Sequence, residues 1–104
     1  MYDRLMVKRA MSVTVKFIGA LRGISGKERL IIKVEKEMSL SELVKEIIEK
    51  EPKLKRALID PELEDPRPNA LILVNGKEIS VLKGLETVVR DGDEVVFVPV
   101  IHGG

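Results

Sequence analysis

A chain of 104 residues, 44% hydrophobic and 34% charged, has the composition of one compact domain with a single core. Its 18 basic and 17 acidic side chains are interspersed and leave a net charge of +1, which argues against the concentrated basic face that nucleic acid requires. Cysteine is absent, excluding disulfides and thiolate chemistry, and three aromatics (Tyr2, Phe17 and Phe97) are too few for base-stacking platforms.

No apolar run approaches the ~20 residues of a membrane helix, and nothing near the start reads as an export signal. The expected location is cytoplasmic. Residues 1–11 are expected to be a loose extension, with Met11 as an alternative start. From there Val13, Val15 and Phe17 alternate with Thr14, Lys16 and Ile18, the period of a half-buried strand. Gly19 and Gly23 bound a turn that continues through Ser25, Gly26 and Lys27. Residues 28–34 form a second strand with Leu30, Ile32 and Val34 on one face, so the pair predicts an antiparallel hairpin.

A helix follows with the clearest local signals in the chain. Ser39 and Glu42 form an S-x-x-E capping box, and Met38 and Leu43 are spaced as a hydrophobic staple. Leu40, Leu43, Val44, Ile47 and Ile48 make one apolar stripe, while Lys45, Glu46, Glu49 and Lys50 take the wet side. Pro52 disfavours helical geometry at Glu51 and ends the element. Over residues 53–69 the pattern weakens: Leu54, Ala57 and Leu58 suit a turn or two of helix, and Pro61, Pro66 and Pro68 enforce an irregular acidic loop.

Residues 70–74 read as a strand apolar on both faces, followed by Asn75-Gly76, the preferred pair for a type I′ turn. Residues 77–80 suit a brief edge strand, and residues 81–85 a short turn or 3₁₀ piece packing its leucines under the sheet. Asp91-Gly92 turns the chain into a final strand over residues 93–98. This order predicts an α+β β-grasp domain over residues 12–98, a mixed sheet of four to five strands curled over one main helix. The last strand would run parallel to the first, with both in the middle.

Chemistry is sparse. With His102 the only histidine, no Ser-His-Asp arrangement forms, and a lone histidine is a poor metal ligand set. No phosphate-binding glycine loop occurs. Asp91, Asp93 and Glu94 read as turn chemistry. No metal, no bound cofactor and no catalytic machinery of its own are expected, and neither nucleic acid nor membrane is expected as a partner. Two features point elsewhere. Pro99, Val100, Ile101, His102, Gly103 and Gly104 would form a flexible tail whose glycines can thread a narrow slot, with the Gly104 carboxyl as functional group. Leu71, Leu73, Val96 and Val98 would face away from the helix as an apolar patch leading to that tail, unless the loop over residues 53–69 folds across them.

Three stretches together, residues 17–22 (FIGALR), 71–76 (LILVNG) and 91–95 (DGDEV), with the Gly103-Gly104 end, resemble the MoaD/ThiS family of ubiquitin-like sulfur carriers. The long segment over residues 53–69 resembles the molybdopterin synthase small subunit more than the thiamine-type carriers, and His102 stands where the family commonly has a small residue. The resemblance implies an E1-like adenylating enzyme that uses ATP and magnesium to activate Gly104, followed by thiocarboxylate formation. It further implies a molybdopterin synthase large subunit, in a heterotetramer, where the sulfur reaches the pterin precursor. Gly103, His102, Ile101, Val100, Pro99, Val98, Val96, Leu73 and Leu71 would then contact partners. The alternatives are a protein modifier or a tRNA-thiolation sulfur donor using the same activated end, or a β-grasp module with an inert tail.

Overall fold

The computed structural model describes residues 11–100. In β1 (Met11–Phe17) the alternation puts Val13, Val15 and Phe17 in the core. The strand pairs antiparallel with β2 (Arg29–Val34), from Met11 opposite Val34 to Lys16 opposite Arg29. The connection is more than a turn. Residues 20–25 wind into a short helix, α1 (Ala20–Ser25), because Leu21 reaches back into the core and Gly26 closes the last turn with its N–H on the Arg22 carbonyl. The glycines at 19 and 23 masked that helix in the sequence.

The main helix, α2 (Leu40–Lys50), carries both halves of the expected capping box. Glu42 N–H donates to Ser39 Oγ at 3.1 Å, and Ser39 N–H donates to Glu42 Oε1 at 3.4 Å. Leu40, Leu43, Val44 and Ile47 are buried and Ile48 is half-buried. Each such side chain removed from water stabilises the fold by roughly 1.5–3 kcal/mol, an upper bound. The helix stops before Pro52, which opens a 3₁₀ turn (Pro52–Leu54) leading into α3 (Lys55–Leu58). Leu54 and Leu58 are fully buried and tie this segment to the core.

The five-stranded sheet has the order β2-β1-β7-β4-β5, with β4 (Ala70–Val74), β5 (Lys77–Glu78) and β7 (Glu94–Pro99). β1 and β7 run parallel in the middle, and β4 pairs antiparallel with both β7 and β5. This is the ubiquitin-like β-grasp: a mixed sheet wrapped on α2, its core centred on Phe17 and Phe97, whose rings lie 6.0 Å apart. The sheet reaches one residue further at each end than the expected 12–98, since Met11 pairs with Val34 and Pro99 with Ala70. Proline is tolerated there because β1 pairs with β7 only as far as Phe97, so no ladder bond on that flank needs a donor at Pro99.

Two local expectations are corrected. The edge strand after the Asn75-Gly76 turn lasts only two residues before a 3₁₀ turn (Ile79–Val81) sends Ile79 into the core. Of the two leucines expected under the sheet, Leu85 packs against the core but Leu82 is exposed, as is Val81. A second, two-stranded sheet joins β3 (Met38–Ser39) to β6 (Val88–Val89). It buries Val89 and anchors the start of α2, where Leu40 N–H donates to the Thr87 carbonyl at 2.8 Å.

Candidate functional site: the outer sheet face and the root of the tail

Alternation along β7 sets the site. Val95 and Phe97 point into the core, so Val96 and Val98 take the opposite face and are only half-buried. The antiparallel register puts Val96 opposite Leu73 and Val98 opposite Leu71, which makes two cross-strand apolar pairs side by side. Leu71 is 43% exposed, and Ile18, just past β1, is 45% exposed. Ile18 follows Phe17 in the same alternation and its N–H bonds to the Phe97 carbonyl. Sequence reading had the alternation that places Ile18 outward but did not count it with the patch. Lys16 and Glu94 form an ion pair of 2.9 Å on this outer face and give the apolar area a polar border.

The loop over residues 53–69 does not cover these residues. Its Ile59, Pro61 and Pro66 instead line, with Val44, Lys45 and Ile48 of α2, an open groove of about 910 Å³. The loop holds its own shape. Asp60 Oδ1 accepts from the backbone N–H groups of Glu62 and Leu63, and Asp65 accepts from both the Arg67 backbone and its guanidinium. That guanidinium holds the Asp65 carboxyl below the usual aspartate range.

Its last residues matter for the tail. The N–H groups of Asn69 and Ala70 both donate to the Pro66 carbonyl, and the Asn69 carbonyl accepts from Val100 N–H at 3.0 Å. On the other side of Pro99 stands Gly19, with φ +57. Pro99 is thus the last paired residue of the sheet and Val100, 42% exposed, the first beyond it. Ile101, His102, Gly103 and Gly104 lie outside the described residues.

The acidic turn proves structural. Asp91 Oδ1 accepts from Ser12 N–H, Asp93 Oδ2 from Arg90 N–H, and Asp93 Oδ1 from Asn75 Nδ2. Among the described residues no three His, Asp or Glu side chains converge where a metal could sit. No helix there is long and apolar enough to cross a membrane. What the arrangement offers is a half-exposed apolar face continuous with the strand end at Pro99.

The chain is similar to several known proteins. A protein of Archaeoglobus fulgidus provisionally named a sulfur carrier is 51% identical over 37 residues, 36% of this chain and 42% of that one. Ubiquitin-related modifier 1 of Schizosaccharomyces pombe is 29% identical over 100 residues, covering 90% of this chain and all of that one. Among solved structures, small archaeal modifier protein 1 of Methanosarcina acetivorans superimposes with a TM-score of 0.76 at 29% identity, over 93% of this chain and 100% of that one. A subunit chain in the complex of subunits 1 and 2 of the Helicobacter pylori molybdopterin-converting factor gives 0.57 at 26% identity, over 90% and 100%. The model of the ThiS family matches residues 15–104, from the middle of β1 through the double glycine. A match of that extent, on a β-grasp with these edges, places the chain in the ThiS family, among the ubiquitin-like sulfur carriers and modifiers of the ThiS/MoaD type.

Proposed function

We propose that this chain carries sulfur on the carboxyl group of Gly104 and serves as the small subunit of molybdopterin synthase. A carboxylate is a poor electrophile at neutral pH, so a leaving group must precede sulfur attack. An E1-like partner would transfer AMP from ATP to the Gly104 carboxylate with release of pyrophosphate, magnesium assisting on the partner's side. Sulfide then attacks the acyl carbon and AMP leaves, giving the thiocarboxylate; a persulfide donor would first give an acyl disulfide, whose S–S bond a second thiol then cleaves to release the thiocarboxylate and form a disulfide on the donor. The tail would enter the large subunit and deliver that sulfur to the pterin precursor. This chain contributes the acyl group and a docking face built on Leu71, Leu73, Val96 and Val98, with Pro99, Val100, Ile101, His102 and Gly103 leading into the partner.

The observation that carries the reading is the continuity of the apolar pairs Leu71–Val98 and Leu73–Val96 with the strand end at Pro99. The similarity to a molybdopterin-converting factor subunit supports the pterin acceptor. A second reading is a modifier joined through Gly104 to lysines of target proteins, and the similarity to ubiquitin-related modifier 1 and to small archaeal modifier protein 1 favours it.

Intact mass after incubation with the adenylating enzyme, ATP and sulfide tests the common step: one oxygen of the chain is expected to be exchanged for sulfur. The loaded chain is then mixed with the large subunit and the pterin precursor. Formation of the dithiolene supports the synthase reading. Higher-mass conjugates that vanish when Gly104 is deleted, without dithiolene, would replace it with the modifier.

A further inference from the structure

We propose that Gly19 is a positioning residue for the acyl tail, which lets Pro99 lie against the backbone and so fixes the direction in which the chain leaves the sheet. The inference rests on the sulfur-carrier reading and deepens it. Up to Phe97, β7 is held on both sides by β1 and β4. Beyond that point the β1 ladder has ended, while β4 still pairs Val98 with Leu71 and Pro99 with Ala70. On the β4 side Val100 N–H donates to the Asn69 carbonyl at 3.0 Å, and Asn69 is itself pinned by its own N–H on the Pro66 carbonyl. On the β1 side the contact is Gly19. A Cβ at that position would meet Pro99 Cγ at 3.3 Å and Cδ at 3.9 Å, so a side chain there requires the ring to give way by a few tenths of an ångström. The backbone there, φ +57 and ψ −131, is also one that side-chain-bearing residues avoid.

Gly19 therefore serves two ends at once: it starts α1, accepting at its carbonyl from the N–H groups of Arg22 and Gly23, and it seats Pro99. Proline contributes because its ring fixes φ near −65°, which removes one of the two backbone rotations at Pro99. Acyl transfer needs the reacting carbon placed to within about 1 Å, so where the chain leaves the sheet bears on how often that carbon arrives in reach. The docking face would set how well the carrier binds, and the seat would set how often Gly104 arrives in a reactive pose.

The experiment compares Gly19→Ala, Pro99→Ala and Gly26→Ala with the unaltered full chain. Gly26 caps the other end of α1 at φ +75 and has nothing within 4 Å of a built Cβ, so it controls for strain on that helix. Pro99→Ala removes the seated ring without imposing a positive φ, and serves if Gly19→Ala fails to fold. Steady-state kinetics of adenylation by the E1-like enzyme are expected to show kcat reduced at least about fivefold in Gly19→Ala and Pro99→Ala, with KM within about twofold. Gly26→Ala is expected to keep kcat. Equal kcat in Pro99→Ala and the unaltered chain, or a loss confined to KM, overturns the inference. Amide exchange at Val100 gives an answer without any partner: protection in the unaltered chain, lost in both seat variants, is expected, and no protection in the unaltered chain refutes the seat. A chain that is never adenylated refutes the carrier reading instead, and leaves the exchange measurement to decide the seat.

Discussion

Asn75 Nδ2 donates to Asp93 Oδ1 at 2.9 Å, joining the turn after β4 to the turn before β7. The same side chain accepts from Glu94 N–H at 2.9 Å, and Asn75 N–H donates to the Glu94 carbonyl at 2.8 Å. Asn75 also occupies φ +50, which asparagine tolerates better than most residues. Asn75→Ala gives up two side-chain hydrogen bonds and strains the turn, for a cost of about 1–3 kcal/mol. Urea unfolding measures it. Asn75→Gly is expected to lose less than Asn75→Ala, because glycine removes the backbone strain; the reverse order would contradict this account of the turn.

Phe97 has the largest structural stake of any residue in β7. It is fully buried, packs against Phe17 across the parallel β1–β7 pair, and lies opposite Ile72 on the other side. Phe97→Ala is expected to destabilise by about 3–5 kcal/mol. That is a large fraction of the stability of a domain this size and suffices to leave part of the chain unfolded at 37 °C. Thermal unfolding followed by circular dichroism gives the shift in Tm.

Most of the fold was legible because its elements announce themselves locally. The capping box at Ser39 and Glu42 fixed where α2 begins, Pro52 fixed where it ends, and alternation in β1 and β7 assigned both faces of the sheet. What escaped detection has physical reasons. Strands of two residues, such as Val88–Val89, are shorter than the period that would reveal them, and they exist only because Met38 and Ser39 lie opposite. The α1 helix was hidden by flanking glycines whose positive φ values at positions 19 and 26 are what start and stop it. Half of the candidate site, the apolar pairs, could be read from alternation. The seat at Gly19 could not, since a close approach between residues 80 positions apart leaves no trace in local pattern.

Ser39 accepts the Glu42 N–H at the start of α2, and its loss should be modest and measurable. Ser39→Ala is expected to cost about 1 kcal/mol. Ser39→Asp keeps an N-cap acceptor near the positive end of the helix and is expected to recover most of that. If alanine and aspartate are equally destabilising, the cap contributes through β3 pairing and not through the side chain.

Leu71 tests whether the outer face is a docking surface and not merely a tolerated apolar area. At 43% exposure, Leu71→Arg leaves the core intact and should change stability by no more than about 1 kcal/mol. It places a long charge between Val98 and the solvent, where a partner's apolar surface would have to desolvate it. Affinity for the large subunit, measured by calorimetry, is expected to fall at least tenfold, or about 1.4 kcal/mol. Val81→Arg, at a more exposed apolar position outside β4 and β7, is expected to bind as the unaltered chain does. Equal affinities for the two variants would remove Leu71 from the interface.

Glu51 gives a prediction in pH. Its residue is only 7% exposed, and Lys27 Nζ lies 2.9 Å from its Oε1, bridging the end of α1 to the end of α2. The hydrogen bond from Lys27 holds the Glu51 carboxyl below its ordinary value, against the opposing effect of burial. In the unfolded chain the same group titrates in the ordinary glutamate range. Between that range and the lower folded value, the unfolded state binds more protons, so the stability contributed by the pair is complete above the ordinary glutamate range and is lost as pH falls through the folded value. Lys27→Met removes the donor and keeps the length of the side chain. Urea unfolding of both proteins should therefore give a stability difference that is largest near pH 7 and shrinks toward pH 3. Asp65 shares the same direction of shift, but its Arg67 partner is untouched by the substitution and cancels in the comparison. A difference that stays constant across that range would mean that Lys27 acts by packing its methylene stem and not through the carboxylate.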